Sequence, residues 1–374
     1  MQLSRIHLVQ FKNYADQLLA FSPQLNGFVG QNGMGKTNLL DAIYYLCMGK
    51  SYFATTDQYI VQHEQDFFRL VGIFEHEEKK DQIVVKVKPR KSKELELNGK
   101  RYDRLVDHVG RFPVVIVVPD DTQLIHEGSE ERRRFLDNTL SQLDSVYLGH
   151  LLQYNKVLKQ RNALLKQRAG RSLPEDLLSV YDQQLAGPAQ YIYERRAAFV
   201  ASFIPPFQHA HEAICGGQEK VSLRYRSHLE EKSLPEILAE SREKDRVLER
   251  TTQGVHRDEL VFKLGGHPLK RLGSQGQLKS FVLALKLAQY RFLQAERQLS
   301  PILLLDDIFD KLDPQRVEQL LAYILAEDFG QIFLSDTDEQ RIRSVLEQHQ
   351  RVRPKLFAVK EGKATEIAYL SSHE

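Results

Sequence analysis

At 374 residues the chain has room for two domains, or for one α/β domain carrying a large insertion. Its 42% hydrophobic and 27% charged residues exclude a disordered or fibrous protein. A formal net charge of +2 gives no whole-molecule attraction for nucleic acid, so any contact with a polyanion must come from local patches.

The N-terminal stretch alternates apolar residues (Leu3, Ile6, Leu8, Phe11) and lacks the continuous apolar core of a signal peptide. No run of about 18 apolar residues suggests a membrane span. The two cysteines, Cys47 and Cys215, have no spacing that suggests a metal site or a disulfide. A soluble, cytoplasmic protein is expected.

Residues 3–11, 27–29, 67–74 and 82–88 read as strands by alternation or by short apolar runs. Residues 94–97 and 100–102 flank Asn98-Gly99, the pair that supplies both positive φ angles of a type I′ hairpin turn. Residues 113–118 form a β-branched run suited to a buried strand. From Ser129, read as a helix cap followed by Glu130 and Glu131, helical periodicity dominates to about Arg250. Breaks are expected at Gly170, Gly187-Pro188 and Pro205-Pro206. Beyond them come a long helix (274–296), a strand (302–305), a helix (314–326), a strand (331–334), a further helix and two closing strands. The expected domains are an α/β head made of 1–120 and 251–374, with a helical lobe, 121–250, inserted between its halves.

The residues Gly30-Gln31-Asn32-Gly33-Met34-Gly35-Lys36-Thr37 complete the pattern G-x-x-x-x-G-K-[ST] between a strand and an apolar helix beginning at Asn38. Such a loop turns successive backbone N–H groups toward phosphate oxygens. Lys36 would reach the β- and γ-phosphates, and the Thr37 hydroxyl would ligate Mg²⁺. Four apolar residues, 302–305, lead into Asp306 and Asp307. A buried parallel strand would set Asp306 beside the loop as a Mg²⁺ ligand, with Asp307 placed to polarise the attacking water. About thirty residues upstream, Gly273-Ser274-Gln275-Gly276-Gln277 opens the long helix with groups able to donate to an anion.

The order of phosphate loop, helical insertion, SQGQ, LLLDD and Asp310-Lys311-Leu312-Asp313 resembles the heads of ABC-type and SMC-type ATPases. It is most similar to the RecF family, through Phe11-Lys12-Asn13-Tyr14, Asn38-Leu39-Leu40-Asp41-Ala42-Ile43, Gly49-Lys50-Ser51, Arg133-Arg134-Phe135-Leu136-Asp137 and Gly254-Val255-His256-Arg257-Asp258. The resemblance implies an ABC/SMC-type ATPase head that dimerises with ATP between two copies. Ser274, Gly276 and Gln277 of one copy would then touch the γ-phosphate held by Lys36 of the other, and Asp313 would couple the two sites. It implies slow hydrolysis, for which the short Asp307 side chain is suited. It offers three candidates for the metal-sensing position (Asp120, Asp121, Gln123) and two for the switch position (Asp336, Thr337). Lys12, Asn13 and Tyr14 are candidates to wrap the nucleotide; His256 and Arg257 are candidates for nucleotide or interface contacts. The implied role is DNA repair and replication restart: binding of junctions between duplex and single strand, with RecO and RecR partners, to load RecA on gapped DNA.

Local basic clusters occur at Lys86, Lys88, Arg90, Lys91 and Lys93; at Lys100, Arg101 and Arg104; at residues 132–134; and at Lys156, Lys159, Arg161, Lys166 and Arg168. Many acids lie near them, so solvated surface is the default reading of each. A transporter ATPase subunit is the competing function; the missing switch histidine, the large helical lobe and the absence of a membrane segment count against it. An SMC-like tether would need long unbroken heptads, which the sequence lacks.

Overall fold

The computed structural model describes residues 1–77, 79–167, 175–217, 219–309, 314–326, 329–347 and 354–367. The chain divides into two compact units. Unit 1 comprises Met1–Asp121, Ala213–Gly216 and Lys279–Glu374; unit 2 comprises Thr122–Glu212 and Gly217–Leu278. The strands in chain order are β1 (Gln2–Phe11), β2 (Tyr14–Ala20), β3 (Leu25–Val29), β4 (Phe68–His76), β5 (Lys79–Lys88), β6 (Ser92–Leu97), β7 (Lys100–Arg101), β8 (Val114–Val117), β9 (Val221–Arg226), β10 (Glu259–Leu264), β11 (His267–Pro268), β12 (Ile302–Asp306), β13 (Ile332–Asp336), β14 (Lys355–Lys360) and β15 (Lys363–Ile367).

Unit 1 holds two sheets. The antiparallel one runs β2-β1-β4-β5-β6-β7. Its strands alternate, so Phe68, Leu70 and Phe74 of β4 are buried while their neighbours are half-exposed. The β6–β7 turn is the expected hairpin, with φ of 51° at Asn98 and 76° at Gly99. The second sheet runs β15-β14-β3-β13-β12-β8 and is parallel from β14 to β8. Its inner strands β3, β12 and β13 are buried at every residue, which is why 27–29, 302–305 and 332–334 read as short apolar runs rather than alternating ones. The helix Lys36–Met48 is buried at eleven of its thirteen residues and shares one hydrophobic core with both sheets.

In unit 2 the helices Ser129–Leu143 and Ser145–Gln167, and Glu175–Cys215 up to Glu212, accompany a three-stranded sheet, β11-β10-β9. Three expectations are corrected here. The breaks at Gly187-Pro188 and Pro205-Pro206 do not occur: the helix Glu175–Cys215 passes through all three prolines. Each proline removes a backbone donor, but Leu185, Ala189, Ile192, Phe199, Phe203 and Phe207 bury a continuous face, and packing outweighs the local signal. Gly170 lies outside the described residues. The lobe also does not end at 250. β9 pairs with β10 from Glu259↔Arg226 to Leu264↔Val221, and this ladder keeps residues 251–278 in unit 2. Finally, Ser129 is the first helical residue rather than the cap, which is Gly128; its hydroxyl donates to the Glu259 carboxylate.

Candidate nucleotide site

The phosphate loop leaves the C-terminal end of β3, whose parallel neighbour is β13, itself paired to β12. The loop and the ends of β13 and β12 therefore lie side by side, at the carboxyl edge where open α/β sheets bind ligands. The Thr37 hydroxyl donates to Asp306 Oδ2 at 2.7 Å, and the Ser335 hydroxyl donates to Asp306 Oδ1 at 2.6 Å. Burial raises the Asp306 carboxyl above its usual range, against the opposing pull of these two donors. A hydroxyl beside a desolvated carboxylate is the hard oxygen donor set that suits Mg²⁺.

Lys36 is buried, and its ammonium donates to the carbonyls of Gly30 at 2.7 Å and Gln31 at 3.3 Å. It stands 4.0 Å from Asp307 Oδ1. Asp307 follows the strand with a φ of 43°, a left-handed conformation that an L side chain adopts at a cost. Its backbone N–H donates to Ser335 Oγ at 3.1 Å. Ser335 thus positions both carboxylates, a role the sequence reading did not assign to it.

The loop's conformation is held from outside. At Gly35, with φ 118°, a Cβ would come within 2.6 Å of Asn13 Nδ2; at Gly30 a Cβ would meet the Val359 carbonyl oxygen at 2.3 Å. Asn13 Nδ2 donates to the Met34 carbonyl at 3.0 Å, and the Tyr14 hydroxyl to the Gly35 carbonyl at 3.1 Å. The Asn38 amide donates to Asn13 Oδ1 at 2.7 Å. Lys12 pairs with Asp41 at 2.7 Å, and the fully buried Asp41 also accepts from Ser51 Oγ at 2.7 Å and the Tyr52 N–H at 2.8 Å. Here Lys12, Asn13 and Tyr14 brace the loop and its helix. The pieces of sequence around 11–14, 38–43 and 49–51 are one hydrogen-bonded frame.

Other candidates sort clearly. Asp121 is committed to structure: it accepts from the Tyr52 hydroxyl at 2.6 Å and the Val118 N–H at 2.8 Å, and pairs with buried Lys286 at 2.9 Å. Asp120 and Gln123 are exposed. Asp336 accepts from the Asp338 N–H at 2.9 Å and pairs with Arg341 at 2.9 Å, whereas Thr337 is exposed. Asp313 lies outside the described residues.

Ser274, Gly276 and Gln277 belong to unit 2, whereas Lys36, Thr37 and Asp306 belong to unit 1. They open the helix Gln275–Arg297 with a reciprocal cap: the Ser274 N–H donates to Gln277 Oε1 at 2.7 Å, and the Gln277 N–H to Ser274 Oγ at 3.3 Å. The cap uses Ser274 Oγ as an acceptor, leaving its hydroxyl hydrogen able to donate.

The segments 133–137 and 254–258 meet on Arg196. This buried guanidinium donates to Asp137 Oδ1 at 2.8 Å, Asp258 Oδ2 at 2.8 Å and the Val255 carbonyl at 2.8 Å, while Arg133 donates to the Asp258 carbonyl at 2.8 Å. His256 bridges the Tyr154 hydroxyl at 2.8 Å and the Thr251 carbonyl at 3.1 Å; burial lowers its pKa to about 4. Arg161, counted among the basic surface residues by sequence, is fully buried and pairs with Asp182 at 2.8 Å and Asp245 at 2.7 Å.

The family described as "RecF/RecN/SMC N terminal domain" matches residues 2–356. A Flavobacterium johnsoniae protein called "DNA replication and repair protein RecF" is 47% identical over 352 residues, covering 94% of this chain and 98% of the relative. The chain belongs to the RecF family. A RecF of Phocaeicola vulgatus is 44% identical, with 98% of each chain covered. Among solved structures, a RecF bound to ATP, described as a recombination mediator protein in the RecFOR pathway, superposes with a TM-score of 0.86 at 29% identity, with 98% of each chain covered. An SMC head from Pyrococcus furiosus, at 17% identity with 98% and 96% of the chains covered, has a TM-score of 0.56 and shares the fold. In this RecF-family chain the ABC/SMC-type ATPase head expected from sequence is the observed fold. No helix among the described residues is long and apolar enough to cross a membrane.

Proposed function

We propose that this chain is an ATP-driven DNA-binding switch of recombinational repair. The observation that carries the reading is the meeting of Thr37, Asp306 and Ser335 beside the phosphate loop, in a chain 47% identical to a DNA replication and repair protein over 94% of its length. Phosphate oxygens would take the place of the Gly30 and Gln31 carbonyls as acceptors for Lys36, neutralising charge that builds up in phosphoryl transfer. Thr37 and Asp306 would hold Mg²⁺, which supplies further charge neutralisation when bound. Asp307 is the carboxylate placed to orient the attacking water, and turnover is slow.

Binding of ATP joins two copies, with Ser274, Gly276 and Gln277 of one reaching the γ-phosphate held by the other; hydrolysis separates them. The ATP-bound dimer engages DNA at junctions of duplex and single strand by backbone shape, and with RecO and RecR it promotes RecA loading on gaps. The naming of the solved ATP-bound relative as a recombination mediator in the RecFOR pathway supports this assignment.

The test is sedimentation of wild type and Lys36→Arg, with and without ATP, in the presence of a gapped duplex. ATP should convert wild type, and not the variant, into a DNA-bound dimer. A chain that stays monomeric and indifferent to DNA in every condition would sink the reading.

A further inference from the structure

We infer that a groove on unit 1, between residues 56–58 and the β5–β6 turn, is a binding site for the phosphodiester backbone of one DNA strand; this rests on the DNA-binding reading above. The groove has a volume of about 450 Å³, and Lys88, Arg90, Lys91 and Lys93 line it together with Asp57 and Gln58. In a chain whose formal net charge is +2, four cations against one carboxylate gather here within a few residues.

The carboxylate is already spent. Asp57 accepts from the Tyr45 hydroxyl at 2.8 Å and pairs with Lys93 at 3.1 Å. Lys86, on the strand that leads to the turn, is likewise taken by Glu96 at 3.6 Å. Lys88, Arg90 and Lys91 are exposed, and among the described residues none forms an ion pair with them.

These three are also held in a fixed shape. The Lys91 N–H donates to the Lys88 carbonyl at 3.0 Å, closing a turn with Pro89 at its second position and Arg90 at its third. Arg90 has a φ of 62°, a conformation for which glycine or asparagine is the low-cost residue. The chain thus accepts backbone strain to present a guanidinium there. The Arg90 guanidinium donates to Gln58 Oε1 at 2.8 Å, so the turn is tied to the segment across the groove. Next to Gln58, the Tyr59 side chain is 74% exposed. A row of cations spaced along a turn matches a strand's phosphates, and the exposed Tyr59 ring, one residue beyond the groove-lining Gln58, is available to stack on an unpaired base.

The experiment is fluorescence anisotropy of the full chain with ATP, across a salt series, on a single-stranded, a duplex and a gapped oligonucleotide. Wild type is compared with the triple variant Lys88→Ala/Arg90→Ala/Lys91→Ala, with Arg90→Lys and with Tyr59→Ala. The triple variant should bind at least about tenfold more weakly, with the salt slope reduced by about two to three, because each lost phosphate contact removes roughly 0.7–0.9 from it. Arg90→Lys, which keeps the charge, should retain most of the wild-type affinity. Weakening by Tyr59→Ala on single strands alone identifies the bound strand as unpaired; no effect of Tyr59→Ala, with duplex binding lost in the triple variant, identifies it as one strand of a duplex. Both results support the site. If wild type binds DNA and the triple variant matches it in affinity and slope while still binding ATP, the groove is not the site, although the DNA-binding reading survives. If wild type binds no DNA, both fall.

Discussion

The Ser335 hydroxyl donates to Asp306 Oδ1 at 2.6 Å, from the strand lying between the one that ends in the phosphate loop and the one that ends in the aspartates. The same oxygen accepts the Asp307 N–H at 3.1 Å. One serine therefore orients the carboxylate proposed to hold Mg²⁺ and sets the backbone of the one proposed to orient water. Outer partners of metal ligands of this kind are worth about 10–100-fold in affinity. Ser335→Ala should raise the Mg²⁺ concentration needed for half-maximal ATP hydrolysis by about tenfold or more. An unchanged Mg²⁺ dependence would show that Ser335 is only a packing residue.

Asp306 and Asp307 are adjacent in sequence but differ in what they touch. Asp306 is bonded to Thr37, whereas Asp307 faces Lys36 at 4.0 Å. Asp307→Asn should retain Mg²⁺-dependent binding of a fluorescent ATP analogue and lower single-turnover hydrolysis by about 100-fold or more. Asp306→Asn should lose the Mg²⁺ dependence of binding itself. Equal effects of the two variants on both readouts would contradict the division of labour.

Asp41 is fully buried and holds Lys12, Ser51 and the Tyr52 N–H together. Removing one partner of a buried pair leaves the other charge uncompensated, at a cost of about 3–5 kcal/mol. Asp41→Ala should therefore lower the thermal midpoint by several degrees and loosen the phosphate loop that Asn13 and Tyr14 brace. A thermal scan with wild-type midpoint and wild-type ATP affinity would refute that account.

The Arg196 cluster predicts the reverse pattern in unit 2. Asp258→Ala leaves Arg196 without one of its two carboxylates and should cost about 3 kcal/mol of stability. ATP-analogue binding at the phosphate loop should stay within about twofold at a temperature where the variant is folded, because Asp258 contacts Arg196 and Tyr225 rather than that loop. A variant as stable as wild type that no longer binds or hydrolyses ATP would instead make 254–258 part of the chemistry.

His108 gives a pH dependence with a defined sign. It is fully buried, and its Nε2–H donates to the Leu46 carbonyl at 2.7 Å, near the C-terminal end of the helix Lys36–Met48. Burial lowers its pKa from 6.5 to about 4. Above pH 6.5 the neutral ring's contribution is fully present; as pH falls toward 4 the unfolded chain takes up a proton that the folded one resists, and about 3 kcal/mol is lost. Chemical denaturation of His108→Gln should lack this part of the pH slope between 6.5 and 4, and a difference curve that is flat across that window would refute the assignment.

The sequence by itself determined the elements whose signal is local. The loop from Gly30 to Thr37 was legible because phosphate binding needs fixed residue types at fixed spacing. Parts of β3 and β12, 27–29 and 302–305, were legible because strands buried on both faces carry apolar runs. The Asn98-Gly99 turn was legible because few residues tolerate its φ angles. Tertiary structure alone decided what depends on neighbours distant in the chain. Ser335 looks like any strand-end serine until β13 is seen between β3 and β12. Arg161 reads as surface charge until Asp182 and Asp245 enclose it. The prolines in Glu175–Cys215 signal breaks until one buried face shows what holds the helix together. The lobe boundary moved to 278 because β9 and β10, 33 positions apart at Arg226 and Glu259, pair with each other. Spacing rules carry information about the chain's own next few residues; partners brought together by packing leave no such local mark.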